Sequence, residues 1–93
     1  MLKVYYTNKI KKDLKLLKKR NYKFDEFVKV IDLLLNEKVL PEKYKDHALS
    51  GNYHKYRECH IEPDWLLIYR IESNILTLVL ARSGTHSDLF KSK

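Results

Sequence analysis

Four histidines, His47, His54, His60 and His86, all fall in the second half of this 93-residue chain. None sits on a helical apolar stripe: His47 and His54 lie in a stretch without clear period, His60 near the end of a strand-like run, and His86 in the tail. A lone loop histidine is ordinarily a solvated side chain. Histidines at the ends of neighbouring strands are different, because folding brings strand ends together. Imidazole changes charge near neutral pH and so can both take and give protons there. RNA carries its own nucleophile, the 2′-hydroxyl. A protein that cuts it need only deprotonate that group, stabilise the charge developing around phosphorus and protonate the leaving oxygen. Each well-placed acid or base contributes about 10²–10⁴-fold to such a step, and a cation aimed at the phosphate adds electrostatic stabilisation. The histidine set therefore points to RNA cleavage without a metal or other cofactor.

Other residues near these histidines have two readings each. Asp64 is either a plain turn aspartate or the group that orients a histidine. Trp65 is either a core tryptophan or a wall of the site that stacks on a base. Arg82, at the end of a strand and beside Gly84-Thr85-His86, is either a surface charge or a grip for phosphate. Phe90 is either a hydrophobic latch for the tail or a stacking platform. A metal centre is disfavoured by spacing. Cys59 and His60 are adjacent on a strand and so point to opposite faces, and neither Cys-x-x-Cys nor His-x-x-x-His occurs. Cys59 is expected in the core beside Ile61.

The balance of 19 basic against 12 acidic residues gives a formal charge of +7. A field of that sign favours polyanions, nucleic acid foremost, with an anionic membrane surface or an acidic protein as other takers. One cysteine excludes an intrachain disulfide and suits a reducing compartment. The N-terminal run has no apolar core of the secretory kind, and the longest apolar run, Trp65 to Tyr69, is far short of a membrane span. The expectation is a cytoplasmic protein with no membrane partner, forming a single domain over residues 1–93.

The elements that must position these groups are legible in outline. Leu2 to Tyr6 reads as a strand. Thr7 or Asn8 caps a first helix with Ile10, Leu14 and Leu17 on its apolar side. Lysines, Lys11 and Lys15 among them, fill the opposite face, which is either an ordinary solvated surface or an RNA-binding one. A second helix, Phe24 to Asn36, carries Phe24, Phe27, Val28, Ile31, Leu34 and Leu35 as one stripe, with Asp25 and Glu26 in its first turn. Pro41 to Tyr44 reads as a loop or single turn, and Lys45 to Lys55 as an exposed loop. Three strands follow: Tyr56 to Ile61, Trp65 to Ile71 and Ile75 to Arg82. Their short links require antiparallel pairing. The fold class is α+β: a strand, a helical hairpin, then a three-stranded antiparallel meander, with the helices packed on one face of the sheet. Apolar residues on both sides of the last strand predict cover for the second face as well, by a partner protein.

Three segments carry a family resemblance: Tyr44-Lys45-Asp46-His47-Ala48-Leu49-Ser50-Gly51, then Tyr56-Arg57-Glu58-Cys59-His60-Ile61-Glu62-Pro63-Asp64-Trp65-Leu66-Leu67-Ile68-Tyr69, then Arg82-Ser83-Gly84-Thr85-His86-Ser87-Asp88-Leu89-Phe90. Their order and spacing resemble the YafQ family of bacterial toxins, within the RelE superfamily, over nearly the whole chain. The resemblance implies the toxin of a type II toxin–antitoxin system that cleaves messenger RNA in the ribosomal A site and stops translation. It also implies a cognate RelB/DinJ-like antitoxin, with operator DNA reached only through that complex. By position, His47, His60, Asp64 and His86 match the family's catalytic residues and Arg82 its phosphate-contacting arginine. Trp65 and Phe90 match aromatics that shape or support the site, and His54 matches nothing. His86 is then the acid at the 5′-oxygen and another histidine, with Asp64, the base, while the lysine face holds ribosomal RNA. Two other readings are a non-catalytic RNA-binding module and a gyrase-poisoning toxin of the ParE kind, which has no use for acid–base groups on RNA.

Overall fold

A computed structural model describes residues 1–90. Strand β1 (Lys3–Tyr6) leads into helices α1 (Asn8–Lys19) and α2 (Asp25–Leu35). A single 3-10 turn, Glu42–Tyr44, precedes the two-residue strand β2 (His47–Ala48), and another, Gly51–Tyr53, follows it. The meander comprises β3 (Arg57–Glu62), β4 (Trp65–Glu72) and β5 (Thr77–Gly84), and a short helix α3 (His86–Leu89) closes the described chain. The sheet order is β1-β5-β4-β3-β2.

Thr7 shows how local chemistry fixes the first helix. Its Oγ1 accepts from the Ile10 amide at 3.1 Å, capping α1, and donates to the Ala81 carbonyl at 2.7 Å. One hydroxyl thus ends the helix and ties it to β5. Ile10 and Leu17 of α1, and Phe27, Val30, Ile31 and Leu34 of α2, pack on Cys59, Ile61, Trp65, Leu67, Tyr69, Leu78 and Leu80 of the sheet. This is the principal core. The alternation along β3 decides what it contains: Cys59 and Ile61 go in, and Glu58 and His60 go to the other face. Burial pushes the Cys59 thiol far above its ordinary range, so it is an inert core residue.

The strand, hairpin and meander appear in the expected order, with five differences. First, β1 runs parallel to β5, Lys3 opposite Thr77 through Tyr6 opposite Leu80, so the sheet is mixed rather than antiparallel. Both helices and strands β2 to β4 lie between β1 and β5 in the chain, so the long connection that parallel neighbours need is present. Second, the supposed loop contains β2, which pairs His47 with Glu58 and Ala48 with Arg57. Third, β5 begins at Thr77, because Ser73–Ile75 forms a tight turn ended by Leu76 at φ 49°. Fourth, Val28 is exposed, and Val30 takes its place in the α2 stripe. Fifth, the second face of the sheet is covered by the chain itself. Leu66, Ile68, Ala81 and Leu89 form a smaller core there, with Leu49, Tyr53 and Tyr56 against it. That cover brings α3, and His86 with it, over the strand ends.

Thr7→Ala removes the cap and the tie to β5 together. It is expected to lower stability by about 1–2 kcal/mol in urea unfolding. A loss indistinguishable from zero would show that the hydroxyl is dispensable.

Candidate functional site

His60 projects from β3 on the face opposite the principal core. The pairing of β2 with β3 sets His47 beside Glu58, and Glu58 and His60, two residues apart on one strand, share a side. Helix α3 brings His86 to the other flank. The result is a row of rings. The His47 and His60 centroids are 6.5 Å apart, those of His60 and His86 6.0 Å, and those of His86 and Phe90 6.4 Å.

Each imidazole is held by an acceptor that fixes its tautomer. The Lys45 carbonyl accepts from His47 Nδ1 at 2.9 Å, and the Pro63 carbonyl from His60 Nδ1 at 3.3 Å. A carbonyl can only accept, so in both neutral rings Nε2 carries the lone pair. Those two atoms converge on Glu58, whose Oε1 lies 3.3 Å from His47 Nε2 and 3.7 Å from His60 Nε2. Glu58 is 5% exposed, a carboxylate kept at the floor of the row. When either ring takes up a proton it forms an ion pair with Glu58. His86 is held differently, and the Asp64 expected beside the base is its partner instead. Asp64 Oδ1 accepts from its ring Nδ1 at 3.1 Å and from its backbone amide at 3.2 Å. These two bonds hold the Asp64 carboxyl below its ordinary range, the ring contact contributing most. Nε2 of His86 is turned away from the carboxylate, which is the arrangement of an imidazolium acid backed by its counter-ion.

The peptide that carries His86 is itself braced. Thr85 and Asp88 form a capping box at the start of α3. Arg20, just past the end of α1, donates from Nη1 and Nη2 to the two oxygens of Asp88 at 2.8 and 3.1 Å. That fork holds the Asp88 carboxyl down to about 2. Gly84 makes room for it, since a Cβ there would stand 2.9 Å from Asp88 Oδ2 and 3.0 Å from its Cβ.

Arg82 is oriented by Asp13 of α1, which takes Nε at 2.7 Å and Nη2 at 3.1 Å and also the Ser83 amide at 3.0 Å. Neither of its bonds to Asp13 uses Nη1. Trp65 requires a correction. At 2% exposure it offers no face to a base. Its indole donates to Ser83 Oγ at 2.9 Å, and its ring packs against Tyr22, Phe24 and Phe27. A strand starting at residue 65 points that ring into the helix-side core, so Trp65 supports the site from beneath. Phe90 is 40% exposed and touches Tyr53 edge-on, which leaves it a usable stacking surface. Lys11 and Lys15 are exposed on α1. His54 is exposed on the turn after Gly51–Tyr53, its ring against the Gly51 carbonyl.

Glu58, Asp13, Arg20 and Asp88 were not singled out by sequence. Only Glu58 left a signal: an acid two residues before a strand histidine shares its face. Among the described residues, no group of three or more His, Cys, Asp or Glu side chains is arranged to hold a metal ion, and no helix is long and apolar enough to cross a membrane.

Asp88 gives the site an acid limit. Its folded pKa, about 2, lies below the 3.8 of a free aspartate, so its pairing contributes stability above about pH 4 that disappears as pH falls toward 2. Acid unfolding of Asp88→Ala is expected to lack the part of the wild-type loss that falls in this window. Identical slopes in the two proteins would contradict the pairing.

Residues 2–91 match the model of the family described as a bacterial toxin of type II toxin–antitoxin systems, YafQ. The mRNA interferase toxin YafQ of Escherichia coli K12 is 40% identical over 88 residues, covering 94% of each chain. A metal-bound toxin from Helicobacter pylori superposes with a TM-score of 0.91 at 44% identity, covering 97% of this chain and 100% of its own. The DinJ–YafQ complex of E. coli gives a TM-score of 0.87 at 37% identity, covering 97% and 99%.

Proposed function

The chain belongs to the YafQ family of type II toxins and is an endoribonuclease of the mRNA interferase kind, and from that premise we propose that it cleaves messenger RNA in the ribosomal A site by proton transfer among its histidines. The observation that carries this reading is the row His47–His60–His86, with a carboxylate at each end of its proton path. In the reaction, Nε2 of His47 or His60 takes the proton from the 2′-hydroxyl, and the imidazolium is stabilised by Glu58. O2′ attacks phosphorus and the P–O5′ bond breaks. His86, as the Asp64-backed imidazolium, delivers its Nε2 proton to O5′. Arg82 Nη1 faces the phosphoryl oxygens, where charge accumulates, and Phe90 receives a base on its exposed face. The products are a 2′,3′-cyclic phosphate and a 5′-hydroxyl.

No metal is assigned a step. The Helicobacter pylori relative is a metal-bound form, but an imidazole that ligated a metal ion here would lose the lone pair that proton transfer requires. A bound ion would therefore inhibit. The lysine face of α1, with Lys11 and Lys15, is read as a contact for ribosomal RNA, since a helix studded with cations gains affinity on a phosphate-covered surface. As in the DinJ–YafQ pair, a cognate antitoxin is the protein partner, and operator DNA is reached through that complex. The binding-only and gyrase-poisoning readings leave the proton path unused.

On programmed ribosomes, His86→Ala is expected to lower the single-turnover rate by about 10²–10⁴-fold with its fold intact. Full activity of His86→Ala would overturn the mechanism.

A further inference from the structure

Strand β2 is only two residues long and lies at the sheet edge. Such an element holds its own geometry poorly, because few ladder bonds tie it down. Yet it carries His47, one of the two histidines proposed to take the 2′-hydroxyl proton, a role that requires a fixed ring beside Glu58. What fixes it lies one residue earlier. Asp46 Oδ1 accepts from the Tyr69 hydroxyl at 2.5 Å. Its Oδ2 accepts from Arg57 Nε at 3.2 Å and Nη2 at 3.0 Å. Arg57 and Tyr69 are directly opposed across β3 and β4, so the carboxylate bridges both central strands.

Tyr69 belongs to the principal core and is almost fully buried, which makes it a rigid anchor. Asp46 and His47 point opposite ways, as successive residues of extended chain must: Asp46 into that anchor, His47 toward Glu58 and His60. Lys45, at φ 49°, turns the chain so that its own carbonyl meets the His47 ring.

We infer that Asp46 is a positioning residue for His47: the Tyr69–Asp46–Arg57 bridge sets the place of the His47 ring, and with it the rate of proton removal. The inference rests on the proposed proton path and on His47, rather than His60, being its base. Asp46 touches no substrate. Its effect is confined to the chemical step, because a reacting group misplaced by about 1 Å loses about 10²-fold while the RNA is still bound.

The test is a double-mutant cycle on programmed ribosomes, with single-turnover rate and half-saturating concentration measured separately. Asp46→Asn breaks the charged half of the bridge, and Tyr69→Phe removes the other half while keeping the core ring. Each is expected to lower the rate about 10- to 100-fold at unchanged half-saturation. In a His47→Ala background, each is expected to lower it less than about 2-fold. Equal losses in both backgrounds, or wild-type rates for both single variants, would overturn the inference. Should Asp46→Asn fail to fold, Tyr69→Phe decides by the same criteria. If His47→Ala alone cleaves at the wild-type rate, the role of His47 as base fails. That outcome is separable, because it appears without touching the bridge, and it removes the inference with it.

Discussion

A β-strand has two sides, and β3 uses them for incompatible purposes. Cys59 and Ile61 are driven into the principal core by the helices above them. The backbone between them therefore has no freedom to rotate Glu58 and His60 anywhere but outward on the far face. A one-residue slip of register would exchange the two sets, burying an imidazole and a carboxylate under α2 and exposing the thiol. The hydrophobic core thus sets the position of the groups proposed to do the chemistry, none of which belongs to it. The same logic extends outward through pairing. His47 stands where it does because it is opposite Glu58, and His86 because α3 packs Leu89 into the small second core.

Between these rigid strands and the reacting groups stand acids. Glu58 faces His47 and His60, Asp64 holds His86, Asp13 aims Arg82, and Asp88 takes Arg20 at the base of α3. Surface ion pairs contribute little to stability, and these need not contribute much. Their use is to keep half-exposed side chains in one orientation, so that less ordering is left to the moment of reaction. The protein remains strongly cationic with every one of these pairs formed, since the surplus of +7 counts all acids already. A surplus of that sign favours a polyanion such as RNA, and the local acids orient the cations and imidazoles beside them.

Most of the architecture could be read from residue pattern. The Ile10–Leu14–Leu17 spacing gave α1, the turn at Glu62-Pro63-Asp64 gave the β3–β4 hairpin, and Thr7 proved to be the cap. What escaped had physical causes. β1 lies beside β5 in parallel, a pairing of the first strand with the last that depends on the path of everything between them and leaves no local mark. β2 is too short to show alternation. α3 is a four-residue helix made by a capping box and a distant arginine, neither visible as a hydrophobic period. Within the site, the four residues assigned as catalytic converge, whereas Trp65, open between the core and an RNA contact, is buried in the core: its aromatic type allowed stacking, and its strand position decided for burial. Asp13, Asp46 and Asp88 were invisible because an acid in a basic protein reads as solubility until its partner, here 69, 11 and 68 residues away, is seen beside it.

The central claim is that imidazoles move the proton of the RNA's own 2′-hydroxyl. The chemistry of the cut ends tests it most directly. On this account the upstream fragment ends in a 2′,3′-cyclic phosphate or the 3′-phosphate derived from it, and the downstream fragment begins with a 5′-hydroxyl, as mass spectrometry of the fragments would show. A 3′-hydroxyl paired with a 5′-phosphate would mean that water attacked from outside, and the histidine row would then have to be given another purpose.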